Sequence, residues 1–141
     1  MIVDDNPGDA HLLQFWLERF GCIVKCAKDG NEAIDLFKQR LFDFILMDLD
    51  MPSLDGHEAT KAIRVSEAEL DSPRSAIIAI SGLDDKQLSS QCQLNGMDGY
   101  FSKPVCPREL AFALAEIRDG SPTPNALRSV SRAYHVIRNK K

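Results

Sequence analysis

Apolar residues along this chain recur in two alternating patterns, short continuous runs and longer stretches with a helical period. The short runs predict five strands, at residues 1–3, 23–24, 44–47, 76–80 and 100–101. A helix is predicted after each of these strands. The first, second and fifth helices are predicted from apolar positions: Leu12, Leu13, Trp16, Leu17 and Phe20; then Ala33, Ile34 and Phe37; and, after Pro107, Leu110, Leu114 and Ile117. The third and fourth are predicted at residues 56–64 and 84–95.

A regular alternation of strands and helices predicts the fold class. Parallel strands need long crossover connections, which are usually helices, and such sheets are covered on both faces. Right-handed crossovers then give an α/β, doubly wound, five-stranded parallel sheet with helices on both faces. In folds of this class the functional crevice lies at the carboxyl ends of the strands.

Four of the five predicted strands run into polar residues at that edge. The first is followed by Asp4 and Asp5, the third by Asp48, the fourth by Ser81, and the fifth leads to Lys103. Three carboxylates alone would repel one another, and a hard cation such as Mg²⁺ prefers carboxylate oxygens and water. The pattern therefore predicts an acidic, metal-binding edge that also carries a hydroxyl and an ammonium group.

The composition is that of a soluble globular domain. The 141 residues are 44% hydrophobic and 27% charged, and no apolar run approaches the roughly 20 residues that span a bilayer. Acids at positions 4 and 5 argue against a secretory signal, so we expect a cytoplasmic protein. The four cysteines are scattered along the chain, which predicts buried free thiols in a cytosolic protein.

Charge divides the chain into two parts. Residues 1–119 hold all 21 acids and 12 basic residues, a formal charge of −9, whereas residues 120–141 hold five basic residues and no acid. This asymmetry predicts a folded domain, residues 1–119, followed by a basic C-terminal tail, residues 120–141. An acidic domain lacks the even positive field of a nucleic-acid-binding module, so no direct nucleic-acid binding is expected.

The tail allows three interpretations, of which contact with a membrane or with nucleic acid is the least favoured. Leu127, Val130, Tyr134 and Ile137 recur on one helical face, which predicts an amphipathic helix that docks on the domain or on a second copy, making a homodimer. The alternative is a frayed tail that is helical only at times, because an isolated helix of this length is marginal in water.

Four segments give the sequence a family resemblance: "VDDNPGD", "LMDLDMPSLDGHEATKAIR", "IIAISG" and "GMDGYFSKPV". Together they resemble the receiver domain of two-component response regulators over residues 1 to about 118. The segment "GMDGYFSKPV" and the long loop at residues 68–74 most resemble those of receivers attached to hybrid histidine kinases. The resemblance implies a flavodoxin-like sheet with strand order 2-1-3-4-5.

The resemblance also implies roles for individual residues. Asp48 would be the phosphoacceptor, supplied by a histidine kinase or a histidine phosphotransfer protein. The Lys103–Pro104 peptide bond would be cis. The remaining implied roles are direct Mg²⁺ ligation by Asp5 and Asp48, ligation through water by Asp4 and through the backbone carbonyl by Asp50, phosphoryl binding by Ser81 and Lys103, and an aromatic switch at Tyr100.

A phosphatase of the haloacid dehalogenase type is the rival interpretation. Those enzymes also place Asp-x-Asp after an apolar strand, as in Asp48-Leu49-Asp50. They favour Thr or Val where this chain has Pro52, and their nucleophile follows the first strand rather than the third. We therefore expect a phosphorylation-dependent switch rather than an enzyme. The sequence leaves open whether it is a free-standing receiver, a phosphorelay intermediate or part of a hybrid kinase.

Overall fold

The computed structural model describes residues 1–52, 56–83, 85–119 and 134–136. Helices and strands alternate from the first strand to the last helix, as the apolar pattern predicts. The elements are β1 Ile2–Val3, α1 Pro7–Arg19, β2 Cys26–Ala27, α2 Gly30–Gln39, β3 Phe44–Asp48, α3 Gly56–Glu69, β4 Ala76–Ser81, α4 Asp85–Leu94, β5 Gly99–Ser102, α5 Pro107–Asp119 and β6 Tyr134–Val136.

The strands form one sheet with the order β2-β1-β3-β4-β5-β6. The first five strands are parallel and have the order 2-1-3-4-5, so the predicted doubly wound fold is confirmed. The longest parallel pairing joins β3 to β4, with Asp48 opposite Ile80. This pairing places the carboxyl ends of the two central strands side by side.

The sixth strand corrects part of the prediction for the tail. β6 pairs antiparallel with β5, with Phe101 opposite Tyr134 and Gly99 opposite Val136. An apolar helical stripe was expected to include Tyr134, but that segment is extended. β6 continues the sheet beyond β5, and the tripeptide Tyr-His-Val contains β-forming residues that suit an added strand. The rest of the predicted tail helix lies outside the described residues, so the homodimer built on it stays a prediction.

Two apolar cores cover the two faces of the sheet. Alternate residues of a strand point to opposite faces, so Ile77 of β4 enters one core and Ile78 the other. Helices α2, α3 and α4 close the first core with Phe37, Ile63 and Leu88. Helices α1 and α5 close the second with residues that include Leu13, Leu17, Leu110 and Ala113.

Local signals fix the helix starts. Asn6 precedes α1, and its side chain accepts hydrogen bonds from the backbone amides of Gly8 and Asp9. Asp29 caps α2 in the same way through the amide of Glu32. These caps anchor the two helices close to the ends of β1 and β2.

Two predicted boundaries were wrong. β2 is Cys26–Ala27 rather than residues 23–24, because Ile2 of β1 pairs with Cys26, and Ile23 is 93% exposed. Helix α3 runs to Glu69 instead of ending at Arg64, since residues 65–69 include good helix formers and Glu67 returns to bind Arg64.

The cysteine prediction also needs a correction. All four thiols are free, as expected, but only Cys92 is fully buried, and burial raises its pKa to about 12. Cys26 and Cys106 are exposed, and Cys22 is half-buried. Cys26 faces solvent because it alternates with the inward Ala27 on an edge strand. Among the described residues, no helix has the length and apolar character to cross a membrane.

Candidate functional site

The ends of four parallel strands bring the predicted site residues together. Asp4 follows β1, Asp48 is the last residue of β3, Ser81 is the last residue of β4, and Lys103 follows β5. Asp4 and Asp48 are 5% and 2% exposed, and Ser81 is fully buried. Two carboxylates therefore lie close together in a place that is largely closed to solvent.

Three of the carboxylates form a compact acidic cluster. One oxygen each from Asp4, Asp5 and Asp48 lies within 4.8 Å of the others, and Asp5 is the exposed member. Asp4 also accepts a hydrogen bond from the backbone amide of Asn6, at 2.9 Å, which fixes its orientation. Three oxygens from hard anionic ligands on one edge of a cleft fit Mg²⁺, which also keeps several waters.

The pKa of Asp4 shows how unfavourable its negative charge is within this cluster. Burial raises the pKa of Asp4 from 3.8 to about 6, and the adjacent charge of Asp48 adds to the rise. The charge of Lys103 acts in the opposite direction without cancelling the effect. Without a bound cation, the ionised form of Asp4 is thus costly at neutral pH.

Lys103 supplies the positive charge of the site. Its Nζ donates to Asp48 Oδ1 at 3.1 Å and lies 3.3 Å from Asp50 Oδ2. Partial burial works to lower the pKa of Lys103, but the hydrogen bond and the charge of Asp48, with that of Asp50, raise it overall. The Lys103–Pro104 peptide bond that follows is cis, as the resemblance implied.

Asp50 is the site residue whose side-chain contacts the sequence analysis did not predict. The resemblance gave it only a backbone carbonyl, but its side chain accepts from Ser81 Oγ at 2.9 Å and from the amide of Gly82 at 3.0 Å. Burial works to raise the pKa of Asp50, yet these hydrogen bonds and Lys103 lower it overall. Its own amide donates to Asp48 Oδ1 at 2.9 Å.

Tyr100 lies on β5 and points into the first apolar core. Its side chain is 3% exposed and packs in the cluster that also contains Met51, Leu88 and Met97. The sequence analysis expected an aromatic switch at this position. The structure places the ring inward, one strand away from Ser81, while Ser81 is bound to the carboxylate of Asp50.

A cavity of about 320 Å³ opens beside the acidic cluster. Asp4, Asp9 and Lys103 contribute its polar groups, and the rest of the lining is mainly apolar. The apolar lining comes from α1, the end of β4 and the segment that leads into α5, through Leu12, Leu13, Trp16, Ile80, Pro104, Val105, Pro107 and Leu110.

We expect Asp4→Asn to stabilise the Mg²⁺-free protein at pH 7.5, by about 1–3 kcal/mol. The folded-state pKa of Asp4 lies above its ordinary value of 3.8, so wild-type stability falls as pH rises from about 4 to about 6 and stays reduced above that. The amide side chain keeps the acceptor for Asn6 and carries no charge. Urea unfolding in the presence of a chelator measures the difference.

The control for this prediction is Asp9→Asn, which removes an exposed carboxylate from the same side of the domain. It should leave the free energy of unfolding nearly unchanged. Added Mg²⁺ should raise the stability of the wild type more than that of Asp4→Asn. An Asp4→Asn variant that is less stable than the wild type at pH 7.5 without Mg²⁺ would contradict the prediction.

These features define a class of doubly wound protein in which a buried strand-end aspartate faces a lysine beside an acidic, metal-competent cluster. A family model described as "Response regulator receiver domain" matches residues 1–115. The chain therefore belongs to the response regulator receiver domain family.

Known relatives place the chain near the receivers of hybrid histidine kinases. It is 38% identical over 111 residues to the sensor protein GacS of Pseudomonas syringae, a match that covers 79% of this chain and 12% of GacS. It is 33% identical over 117 residues to hybrid signal transduction histidine kinase A of Dictyostelium discoideum, covering 82% of this chain and 5% of that protein. The chain thus spans a small fraction of these relatives' length.

Solved structures of receiver domains also match the chain. The receiver domain of the histidine kinase CKI1 from Arabidopsis thaliana, complexed with Mg²⁺ and BeF₃⁻, has a TM-score of 0.73 at 32% identity, covering 84% of this chain and 87% of that one. A co-crystal structure of the Saccharomyces cerevisiae phosphotransfer protein Ypd1 and the receiver domain of Ssk1 gives a TM-score of 0.76 at 30% identity, covering 82% and 84%.

Proposed function

We propose that this domain is the phosphoacceptor of a two-component phosphorelay and that Asp48 receives the phosphoryl group. The observation that carries the proposal is the position of Asp48: a carboxylate 2% exposed at the end of β3, hydrogen-bonded to Lys103 and grouped with Asp4 and Asp5. A buried carboxylate in contact with a cation, among other acids, suits a nucleophile that must meet an anionic substrate.

The transfer is a displacement at phosphorus. An oxygen of the Asp48 carboxylate forms a bond to phosphorus while the bond between phosphorus and the donor nitrogen of a histidine breaks, and the nitrogen keeps the electron pair. Lys103 stabilises the negative charge that spreads over the phosphoryl oxygens. The backbone amide of Asp50 donates a hydrogen bond to Asp48 Oδ1, which holds the carboxylate of Asp48 in place.

We propose Mg²⁺ as the cofactor, held by Asp4, Asp5 and Asp48 and by the backbone carbonyl of Asp50. When bound, it supplies positive charge to the phosphoryl oxygens that the carboxylates would otherwise repel. The proposal is supported by the closeness of the three carboxylates and by the raised pKa of Asp4, both of which a divalent cation would relieve. The chain's own part is to orient the oxygens.

The proposed donor is a histidine kinase or a histidine phosphotransfer protein. Helix α1 presents Leu12 and Phe15, 55% and 47% exposed, and Leu12 also lines the cavity beside Asp4 and Lys103. A donor protein that packs on these apolar side chains would bring its histidine to the acidic cluster. A structure that contains Ypd1 with a receiver domain supports this class of partner. Free thiols agree with a cytoplasmic setting.

We further propose that the domain acts as a switch and not as a phosphatase. A phosphoryl group on Asp48 is a new acceptor for Ser81, which lies on the strand next to Tyr100. Movement of Ser81 and repacking around Tyr100 would change the surface formed by α4 and β5, a shift between two packings. Self-hydrolysis of the aspartyl phosphate then resets the domain.

The test is labelling with acetyl phosphate in the presence of Mg²⁺. We expect intact-mass spectrometry to find one added phosphoryl group on the wild type and none on Asp48→Asn. Acetate leaves as the new oxygen–phosphorus bond forms. Equal labelling of the two proteins would reject Asp48 as the acceptor, and repeated turnover of a generic phosphomonoester would reject the switch in favour of a phosphatase.

A further inference from the structure

Asp50 holds the groups that a phosphoryl group on Asp48 would need. Three donors of the site meet the Asp50 carboxylate. Ser81 Oγ lies at 2.9 Å and the Gly82 amide at 3.0 Å, and Lys103 Nζ, which it shares with Asp48, lies at 3.3 Å. A carboxylate bound by a hydroxyl, an amide and an ammonium group is held as a phosphoryl group is held.

Ser81 and Gly82 can serve only one anion at a time. A serine hydroxyl has a single proton to donate, and Ser81 gives it to Asp50 while its oxygen accepts from the amide of Leu83 at 3.1 Å. The Gly82 amide likewise has one hydrogen. Lys103 has three, and two of them face Asp48 and Asp50. A phosphoryl group therefore has to displace Asp50 from Ser81 and Gly82.

Displacement of Asp50 is feasible without unfolding. Its side chain is 39% exposed, so it can turn toward solvent and be hydrated there. Its charge must also move away from an incoming dianion, because like charges at such distances repel. Its backbone carbonyl and amide stay in place, so the metal ligand and the hydrogen bond to Asp48 are unaffected by side-chain rotation.

We propose that the Asp50 side chain is an internal competitor for the phosphoryl site, which slows phosphorylation of Asp48 and weakens binding of phosphoryl-like anions. This inference rests on the proposed function and adds a specific residue that sets its rate. It also means that Asp50 holds Ser81 and Lys103 together before phosphorylation.

The first test compares labelling rates with acetyl phosphate and Mg²⁺. Asp50→Ala should be labelled at Asp48 at least about tenfold faster than the wild type, because charge-assisted hydrogen bonds no longer have to be exchanged. Asp50→Asn, which loses the charge but keeps an acceptor for Ser81, should lie between them. Asp9→Asn removes the same charge from the lining of the adjacent cavity and should stay within about twofold of the wild type.

A binding measurement separates affinity from chemistry. Beryllofluoride with Mg²⁺, titrated by the fluorescence of Trp16, the single tryptophan, which lines the cavity beside Lys103, should bind Asp50→Ala with a Kd lower by about tenfold or more. Asp9→Asn should again match the wild type. A lower Kd only in the Asp50 variants identifies competition for the donors rather than a general charge effect.

A third readout needs neither metal nor phosphate. In the apo protein, the amide resonance of Gly82 should shift in Asp50→Ala and exchange faster with solvent, since its acceptor is gone. Asp9→Asn should leave that resonance in place. An unchanged Gly82 resonance in Asp50→Ala overturns the inference.

The outcomes distinguish the two proposals. If the wild type is not labelled, or Asp48→Asn is labelled equally, the proposed function fails. If Asp48 is labelled but Asp50→Ala and Asp50→Asn are no faster than Asp9→Asn and bind beryllofluoride no more tightly, the function stands and the competitor role is wrong.

Discussion

Replacing Lys103 by methionine should lower the rate of Asp48 labelling by acetyl phosphate by about a hundredfold or more, the size of effect seen when one preorganised donor to a developing charge is removed. Lys103 Nζ is 3.1 Å from Asp48 Oδ1 and is the cation that the described part of the site places against that carboxylate. Methionine keeps most of the apolar stem, so packing around Pro104 should change little. Intact-mass spectrometry over time gives the rate.

Two further variants make this result specific. Lys61→Met removes a lysine whose ion pair with Glu58 is on the surface of α3, and it should label at the wild-type rate. Lys103→Arg keeps the charge, but a planar fork replaces a compact ammonium group, so partial activity is expected. Labelling of Lys103→Met within about threefold of the wild type would show that the lysine does not stabilise the transferred group.

Much of this site was predictable because parallel sheets impose a simple rule. Once β1, β3 and β4 are recognised as buried apolar runs, the residues that follow them must meet at one edge. Asp4, Asp48 and Ser81 were therefore placed together from spacing alone, and Lys103 joined them as the residue after β5. The pattern of apolar residues also predicted a sheet with helices on both faces, because burial against the sheet sets that pattern.

The parts that were not predictable depend on side-chain direction and on pairing across the sheet. Nothing in the spacing of Asp48 and Asp50 says that the second carboxylate turns toward Ser81 and Gly82. Strand β2 was placed three residues early because Ile23 is as apolar as a core residue, yet it is exposed. Pairing with Ile2 selects Cys26 instead.

The helix predicted at Tyr134 was wrong for a related reason, since that segment is the strand β6. An apolar face at helical spacing and a β-forming tripeptide coexist in the same tail, and the choice between them depends on a partner. Strand β5 is such a partner, with Tyr100 opposite His135 in the register. Local pattern alone contains no information about which distant strand a segment will pair with.

The largest effect on stability should come from Arg64, which sequence reasoning treated only as the end of a helix. Its guanidinium donates to Glu67 at 2.8 Å and to Asp98 at 2.8 Å, and also to the carbonyls of Ser75 and Gly96. The two acids in turn accept from backbone amides at the start of β4, those of Ser75 and Ile77. Arg64 thus links α3, β4 and the turn before β5.

We expect Arg64→Ala to lower the free energy of unfolding by about 3–5 kcal/mol, because it leaves the nearly buried Glu67 carboxylate and the Ser75 carbonyl without their cationic donor, while Asp98 keeps only Arg74. Only 14% of the Arg64 side chain and 8% of the Glu67 side chain are exposed. Urea unfolding followed by circular dichroism measures the change. The free energy of unfolding of Arg64→Lys should lie between those of the wild type and Arg64→Ala, because an ammonium group cannot reproduce the fork of guanidinium contacts.

Arg74 provides the matched control within the same network. It also binds Asp98 and the carbonyl of Gly96, at 3.0 Å and 3.2 Å, but its side chain is 49% exposed. Arg74→Ala should therefore cost about 1 kcal/mol or less, because solvent screens an exposed pair. If Arg64→Ala and Arg74→Ala destabilise the domain equally, burial does not set the strength of this network, and the expected role of Arg64 in holding β4 and β5 in position is wrong.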